Sequence, residues 1–196
     1  LRGDGIEGRE PSCDFKHASE LVEFIKQFDS KTGGTQFKVF GACYPEQHPE
    51  SEDVMNDIQG LKAKVDAGAT HLISQLFFDN EKFYRFLERA KLAGINVPIE
   101  AGIMPATNKK SIERMVSLTN ATLPPKFINM MERYGDSPEA IRDAGIAYAV
   151  DQIVDLVTNG VDGIHLYTMN NSYIAKRIKE AVRSLFTVAP KDFVIK

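Results

Sequence analysis

The chain has 196 residues, 43% of them apolar, and a formal net charge of −3. That is enough to bury a core, and the charge is too evenly mixed for the basic stripe that nucleic acid or an anionic membrane requires. No apolar run approaches the length of a membrane span, and the first residues lack the basic-then-apolar pattern of a signal peptide, so the chain reads as cytoplasmic. Two cysteines, Cys13 and Cys43, cannot make a disulfide framework and have no ligands at zinc spacing; Cys43 is read as a buried strand residue.

Helix and strand patterns then alternate along the chain. A helix over 20–28, capped by Ser19, places Leu21, Phe24, Ile25 and Phe28 on one stripe. A strand over about 36–44 precedes a helix with Val54, Ile58, Leu61 and Val65 at helical spacing. The second strand, about 71–78, is apolar almost throughout, as a strand covered on both faces is, and the next helix turns Phe83, Phe86 and Leu87 inward. A third strand over 97–104 stops at Pro105. Helical stretches over about 109–118 and 138–158 lead to a fourth strand over 161–167 and a last helix with Ile174, Ile178 and Leu185. Between the third and fourth units, Pro124, Pro125 and the stretch to Tyr134 read as an inserted extra helix.

Alternating strands and helices require a parallel sheet, and the unusual residues gather where strands end: Tyr44, Gln75, Pro105 and Tyr167. That distribution is the habit of the (β/α)8 TIM barrel. The competing architecture, an open doubly wound sheet, carries a GxGxxG phosphate loop that is absent here. Four units and a leading helix amount to about half a barrel. Its unpaired strand edges favour a homo-oligomer or association with the missing N-terminal half.

Two fragments suit a flavin site. Arg2, Gly3 and Asp4 set a cation and a carboxylate around a glycine, and Tyr44 and His48 lie beside prolines that stiffen the turn. Each residue also has a plainer reading: Asp4 in a surface turn, His48 in a solvated loop, Asp57 and Lys64 on a salt-bridged helix face, Gln75 satisfied by backbone in the core.

The segments LRGD, GACYPEQHPE, DIQGLKAKVDAGA, HLISQLFFD, EAGIMPATN and GIHLYTMNN, in this order, resemble the methylenetetrahydrofolate reductase family. The resemblance implies a TIM barrel of which residues 1–196 supply the part from the end of the fourth strand through the eighth helix, with the earlier strands upstream. It implies a flavoprotein that moves a hydride from NADH or NADPH onto FAD and then to 5,10-methylenetetrahydrofolate, giving 5-methyltetrahydrofolate for one-carbon metabolism and methionine biosynthesis. By the same resemblance Arg2, Gly3, Asp4, Tyr44, His48, Ser51, Asp57 and Lys64 contact FAD, and Asp4 also acts in catalysis by stabilising cationic character in the folate. Gln75 binds the pterin, and Tyr167, Met169 and Asn170 wall the folate and nicotinamide site. Asn171 departs from the family, which often has arginine there; Lys109, Lys110 and Arg114 are the candidates for its charge. The alternatives are another flavin or folate barrel enzyme and a non-catalytic fragment. The ten residues over 187–196 are too few for an adenosylmethionine-binding regulatory domain.

Overall fold

The computed structural model describes residues 14–33, 37–119 and 121–188. After helix α1 (Ala18–Thr32) come β1 (Phe40–Cys43), α2 (Val54–Asp66), β2 (His71–Ser74), α3 (Asn80–Leu92) and β3 (Ile99–Ile103). Three helices follow, α4 (Lys109–Thr119), α5 (Pro125–Tyr134) and α6 (Pro138–Thr158), then β4 (Gly163–Leu166), α7 (Ser172–Val182) and a 3₁₀ turn, Arg183–Thr187. The inserted helix is α5, started by Pro125 in its first turn, where a missing N–H costs no hydrogen bond.

All strand pairs are parallel and the spatial order is β1-β2-β3-β4. Right-handed crossovers between strands laid down consecutively place every connecting helix on the same side. The core reflects this: Cys43, Leu72, Ile99, Ala101 and Ile103 pack with Ile58 and Leu61 of α2, Phe83 and Phe86 of α3, Ile153 and Leu156 of α6 and Ile178 of α7. A doubly wound sheet reverses its strand order and is covered on both faces; among the described strands no reversal occurs. Side chains alternate across the pleat, so the opposite face carries Phe40, Ala42, His71, Ile73, Glu100 and His165. Among the described residues that face is exposed: Phe40 is 48% exposed and stacks on His71 at 4.6 Å.

A second core closes the carboxyl end of the sheet, where Leu76, Phe78, Met104, Ile112, Phe127, Met131 and Ile141 pack together. The apolar run after β2 therefore continues as a loop under α5 and α6 instead of as strand, so the ladder stops at Ser74 and not near Phe78. The other strands are likewise shorter at their ends than the apolar runs. At Gly145 of α6, an added Cβ would lie 1.8 Å from the Ala106 carbonyl oxygen. The glycine lets α6 touch the loop leaving β3.

Helix α1 corrects two expectations. It starts after His17, not Ser19, because the Glu20 carboxylate reaches back to the Lys16 N–H at 2.7 Å while His17 O accepts from the Glu20 N–H at 3.1 Å. The predicted stripe is not its buried face: Phe24 and Phe28 are 55% and 52% exposed, and Val22 is the buried residue of a helix that packs mainly against α2.

A candidate active site at the carboxyl ends of the strands

The loop leaving β1 turns on side chains from α2. Asp53 caps that helix by accepting from the Asn56 N–H at 2.8 Å. Asp57, in its first turn, accepts from the His48 N–H at 3.1 Å. The His48 Nδ1 accepts from the Glu50 N–H at 3.0 Å, which puts the ring proton on Nε2. The ring lies edge-on to Tyr44, centroids 4.5 Å apart. Ser51 is held through its backbone, its N–H donating to His48 O at 3.0 Å and its carbonyl accepting from Gln47 Nε2 at 2.7 Å.

Lys64, two helical turns beyond Asp57, crosses Gly41, where an added Cβ would meet its Cδ at 2.8 Å, and donates to Ala42 O at 2.6 Å. Burial holds its ammonium below the usual lysine range, with Cys43 and Asp57 nearby opposing the shift. One of its three donors is thus used by the strand. Beside it, a Cβ on Gly60 would meet nothing within 4 Å. Burial also raises the Tyr44 phenol, Asp57 adding to the effect, so it stays protonated as a donor.

Across the sheet, Gln75 directs its N–H to Cys43 O at 2.7 Å and folds its Oε1 onto the Leu76 N–H at 3.1 Å. Among the described residues nothing accepts from its Nε2, which remains to donate. Both ends of the strand register meet at Ser74, fully buried: its Oγ donates to Gln75 O at 3.0 Å and accepts from the Gly102 N–H at 2.8 Å. Its carbonyl accepts from the Tyr167 hydroxyl at 3.0 Å. Tyr167 therefore reaches from β4 over β3 to β2, a path open only because residue 102 has no side chain: a Cβ there would be 2.8 Å from the tyrosine ring and 2.1 Å from Ser74 O. His165, two positions before it in the chain, sets its ring edge-on to Tyr167 at 4.9 Å and lies 3.8 Å from the Glu100 carboxylate.

Met169 and Asn170 both take left-handed backbone, φ 48° and 60°, a conformation non-glycine residues rarely hold outside turns with a role. Asn171 ends that turn as the cap of α7, its Oδ1 accepting from the Ile174 N–H at 3.3 Å. A cleft of about 270 Å³ opens between this turn and α4, with Tyr167 and Met169 on one wall and Asn108, Ser111 and Arg114 on the other.

The structure thus brings Tyr44, His48, Asp57 and Lys64 into one group, with Ser51 closing their loop. Gln75 shares a small recess with Tyr44, and Tyr167 and Met169 line the cleft, while Asn170 faces outward beside it. Arg2, Gly3 and Asp4 lie outside the described residues. Ser74, Gly102 and His165 were missed by sequence reasoning. A serine inside an apolar strand was the available signal, since a hydroxyl there must find partners. Among the described residues no cluster of His, Cys, Asp and Glu could hold a metal ion, and no helix is long and apolar enough to cross a membrane.

A singly wound parallel α/β sheet with polar side chains converging on the carboxyl ends of its strands is the class of scaffold on which small-molecule enzymes place their sites. The methylenetetrahydrofolate reductase family profile matches residues 1–183, and the chain belongs to that family. It is 35% identical over 179 residues to the 5,10-methylenetetrahydrofolate reductase of Pectobacterium carotovorum subsp. carotovorum, covering 91% of this chain and 57% of the relative. The Escherichia coli K12 reductase is 36% identical over 162 residues, 83% of this chain and 53% of that one. An Arabidopsis thaliana relative, methylenetetrahydrofolate reductase (NADH) 1, is 34% identical over 183 residues, 87% of this chain and 30% of its own length. The chain thus spans rather more than half the length of the bacterial relatives. Among solved structures, the fold is shared with a protein from Clostridium thermocellum described as binding two copies of 5-methyl-5,6,7,8-tetrahydrofolic acid. The TM-score is 0.59 at 16% identity, over 87% of this chain and 59% of that one.

Proposed function

We propose that the chain is the carboxyl-terminal part of a (β/α)8 reductase that converts 5,10-methylenetetrahydrofolate to 5-methyltetrahydrofolate, with NADH or NADPH as hydride source. The observation that carries this reading is the Ser74 junction, which ties Gln75 and Tyr167, the two residues proposed to hold folate, into one rigid unit at the strand ends. The folate-binding neighbour of the same fold is consistent with such a ligand.

The residues present fit a flavin. Tyr44 offers a half-exposed ring edge, His48 an Nε2–H, Lys64 two further ammonium donors, and the surface beside Gly60 is free of side chains. Bound FAD would supply the capacity to accept a hydride and release it to a second substrate. Tyr44, His48, Ser51, Asp57 and Lys64 hold and orient the cofactor, with Arg2 and Gly3. Gln75 donates from Nε2 to an acceptor on the pterin, and Tyr167 and Met169 support the ring systems while Asn170 shapes the turn. Asp4 stabilises positive charge on the folate as it becomes electrophilic. The open sheet face is closed by the first half of the barrel, which also supplies the proton donor.

The test separates the half-reactions in the full-length polypeptide. Gln75→Leu is expected to impair folate reduction while NADH oxidation by an artificial acceptor such as menadione continues. Parallel loss of both would assign Gln75 to structure, and absence of flavin from the purified protein would remove the reading.

A further inference from the structure

The loop leaving β1 sends one carboxylate across the site. Glu46 accepts from the Thr122 N–H at 2.7 Å through Oε1 and from the Thr122 hydroxyl through Oε2, a contact between residues 76 positions apart. The anchor is firm: Ala121, next to Thr122, is buried in the second core with Leu76 and Phe127, and Thr119 closes α4 with its hydroxyl donating to Met115 O at 2.8 Å. Hydrogen bonds to a carboxylate are about twice as strong as neutral ones, and two of them to one residue fix direction as well as distance.

Glu46, Thr119 and Ala121 line the recess that Tyr44 and Gln75 share. At the strand ends the separation of those two residues is set by the Gln75 N–H on Cys43 O at 2.7 Å. Beyond the strands only cross-links between loops can set it, and Glu46 supplies one. Further ties of the same loop lead to other elements. Pro45 O accepts from Arg89 Nη2 of α3 at 3.1 Å, the His48 N–H donates to Asp57 of α2 at 3.1 Å, and Gln47 Nε2 donates to Ser51 O within the loop at 2.7 Å. Losing the Glu46 bridge would therefore leave the loop seated on α2 and α3 and free it only from the segment before α5.

We propose that Glu46 is a positioning residue for hydride transfer: by holding both donors of Thr122 it fixes the distance between the flavin-side wall at Tyr44 and the folate-side wall at Gln75. This rests on the function proposed above. A hydride passes only between atoms held at near-contact distance, so the spacing of the two walls sets the rate of the step that joins them.

The test follows the flavin absorbance of the full-length, FAD-loaded polypeptide by stopped flow, first during reduction by NADH or NADPH and then during reoxidation by 5,10-methylenetetrahydrofolate. Glu46→Ala is expected to slow reoxidation roughly ten- to a hundredfold, the scale of an ångström-sized misplacement, while flavin content and reduction rate stay at wild-type values. Thr122→Val, which removes the hydroxyl donor and keeps the N–H, should slow reoxidation less, and Thr122→Ser should match wild type. The double variant should be no slower than Glu46→Ala alone, because both changes remove the same bridge. If Glu46→Ala fails to fold, Thr122→Val decides alone. Equal slowing of both half-reactions, loss of flavin, or no change in either overturns the role of Glu46 while the reductase reading stands. A wild-type reduced flavin that methylenetetrahydrofolate does not reoxidise removes the reductase reading and this assignment with it.

Discussion

Ser74 does the work at the residue scale that its neighbours were expected to do. A serine flanked by Ile73 and Gln75 ties three strands together, through Gly102 on β3, through Tyr167 just past β4 and through the backbone of its own strand. Ser74→Ala would leave the Gly102 N–H buried without a partner, costing about 1–3 kcal/mol. The expected result is a lowered urea midpoint at unchanged slope, together with loss of folate affinity as Tyr167 loosens; an unchanged midpoint would place the junction elsewhere. Cys43, buried as its strand position suggested, has its thiol pushed from 9.0 up to about 12, burial being the main cause. Tyr148, whose hydroxyl donates to Phe78 O at 2.7 Å, is likewise raised from 10.0 to about 12 by burial. Both groups ionise more readily in the unfolded chain, so their contribution to stability is complete below pH 9 and is lost as the pH climbs toward about 12. Thermal melts across that window should show Tm falling, and native-state alkylation mapped by mass spectrometry should spare Cys43 at pH 8. Rapid labelling there would contradict its burial.

At the scale of elements, close approach of backbones matters more than propensity. Helix α6 is capped by Ser137, whose Oγ accepts from the Ala140 N–H at 3.4 Å, and begins with Pro138, both of them local start signals written in consecutive residues. Its depth of seating is another matter, because Gly145 meets Ala106 backbone with no space for a methyl group. Gly145→Ala should therefore destabilise by about 1–3 kcal/mol despite alanine's better helix propensity, and Tm should drop by roughly 2–10 °C for a chain of this size. A rise in Tm would show that α6 can shift without cost. The helix α1 shows the converse. Periodicity identified it and set an amphipathic stripe, yet Phe24 and Phe28 stay exposed while Val22 is buried, because the helix packs mainly against α2 and not with that stripe inward.

Among the described residues the molecule is a four-stranded parallel sheet with its helices packed on one face. Phe24, Phe28, Phe37 and Phe40 are each about half exposed near the β1 edge, and among the described strands β1 and β4 are the two edges of the sheet. Hydrogen bonding along such an edge and burial of apolar surface both reward a partner. The isolated chain is expected to sediment as a dimer or larger species at micromolar concentration and, if the proposed function holds, to lack folate turnover by itself, since every group of a hydride-transfer reaction must share one geometry. Full turnover by a monomer would defeat this expectation.

Every described helix and strand was foreseen in order, as were the inserted helix after Pro124 and the grouping of Tyr44, Gln75 and Tyr167 at strand ends. Those features are encoded locally: spacings of two and of 3.6 residues, prolines, and polar residues at the close of apolar runs leave their mark within a dozen positions. The single-sided winding, the second core beneath Leu76 and Phe78 and the cap made by Asn171 were decided only by tertiary structure. The contact that joins the site, from Tyr167 to Ser74, spans 93 residues. Periodicity can say that each of those side chains sits at a strand end, but only the register of β2, β3 and β4 decides that a tyrosine on one strand reaches over a glycine to a carbonyl two strands away.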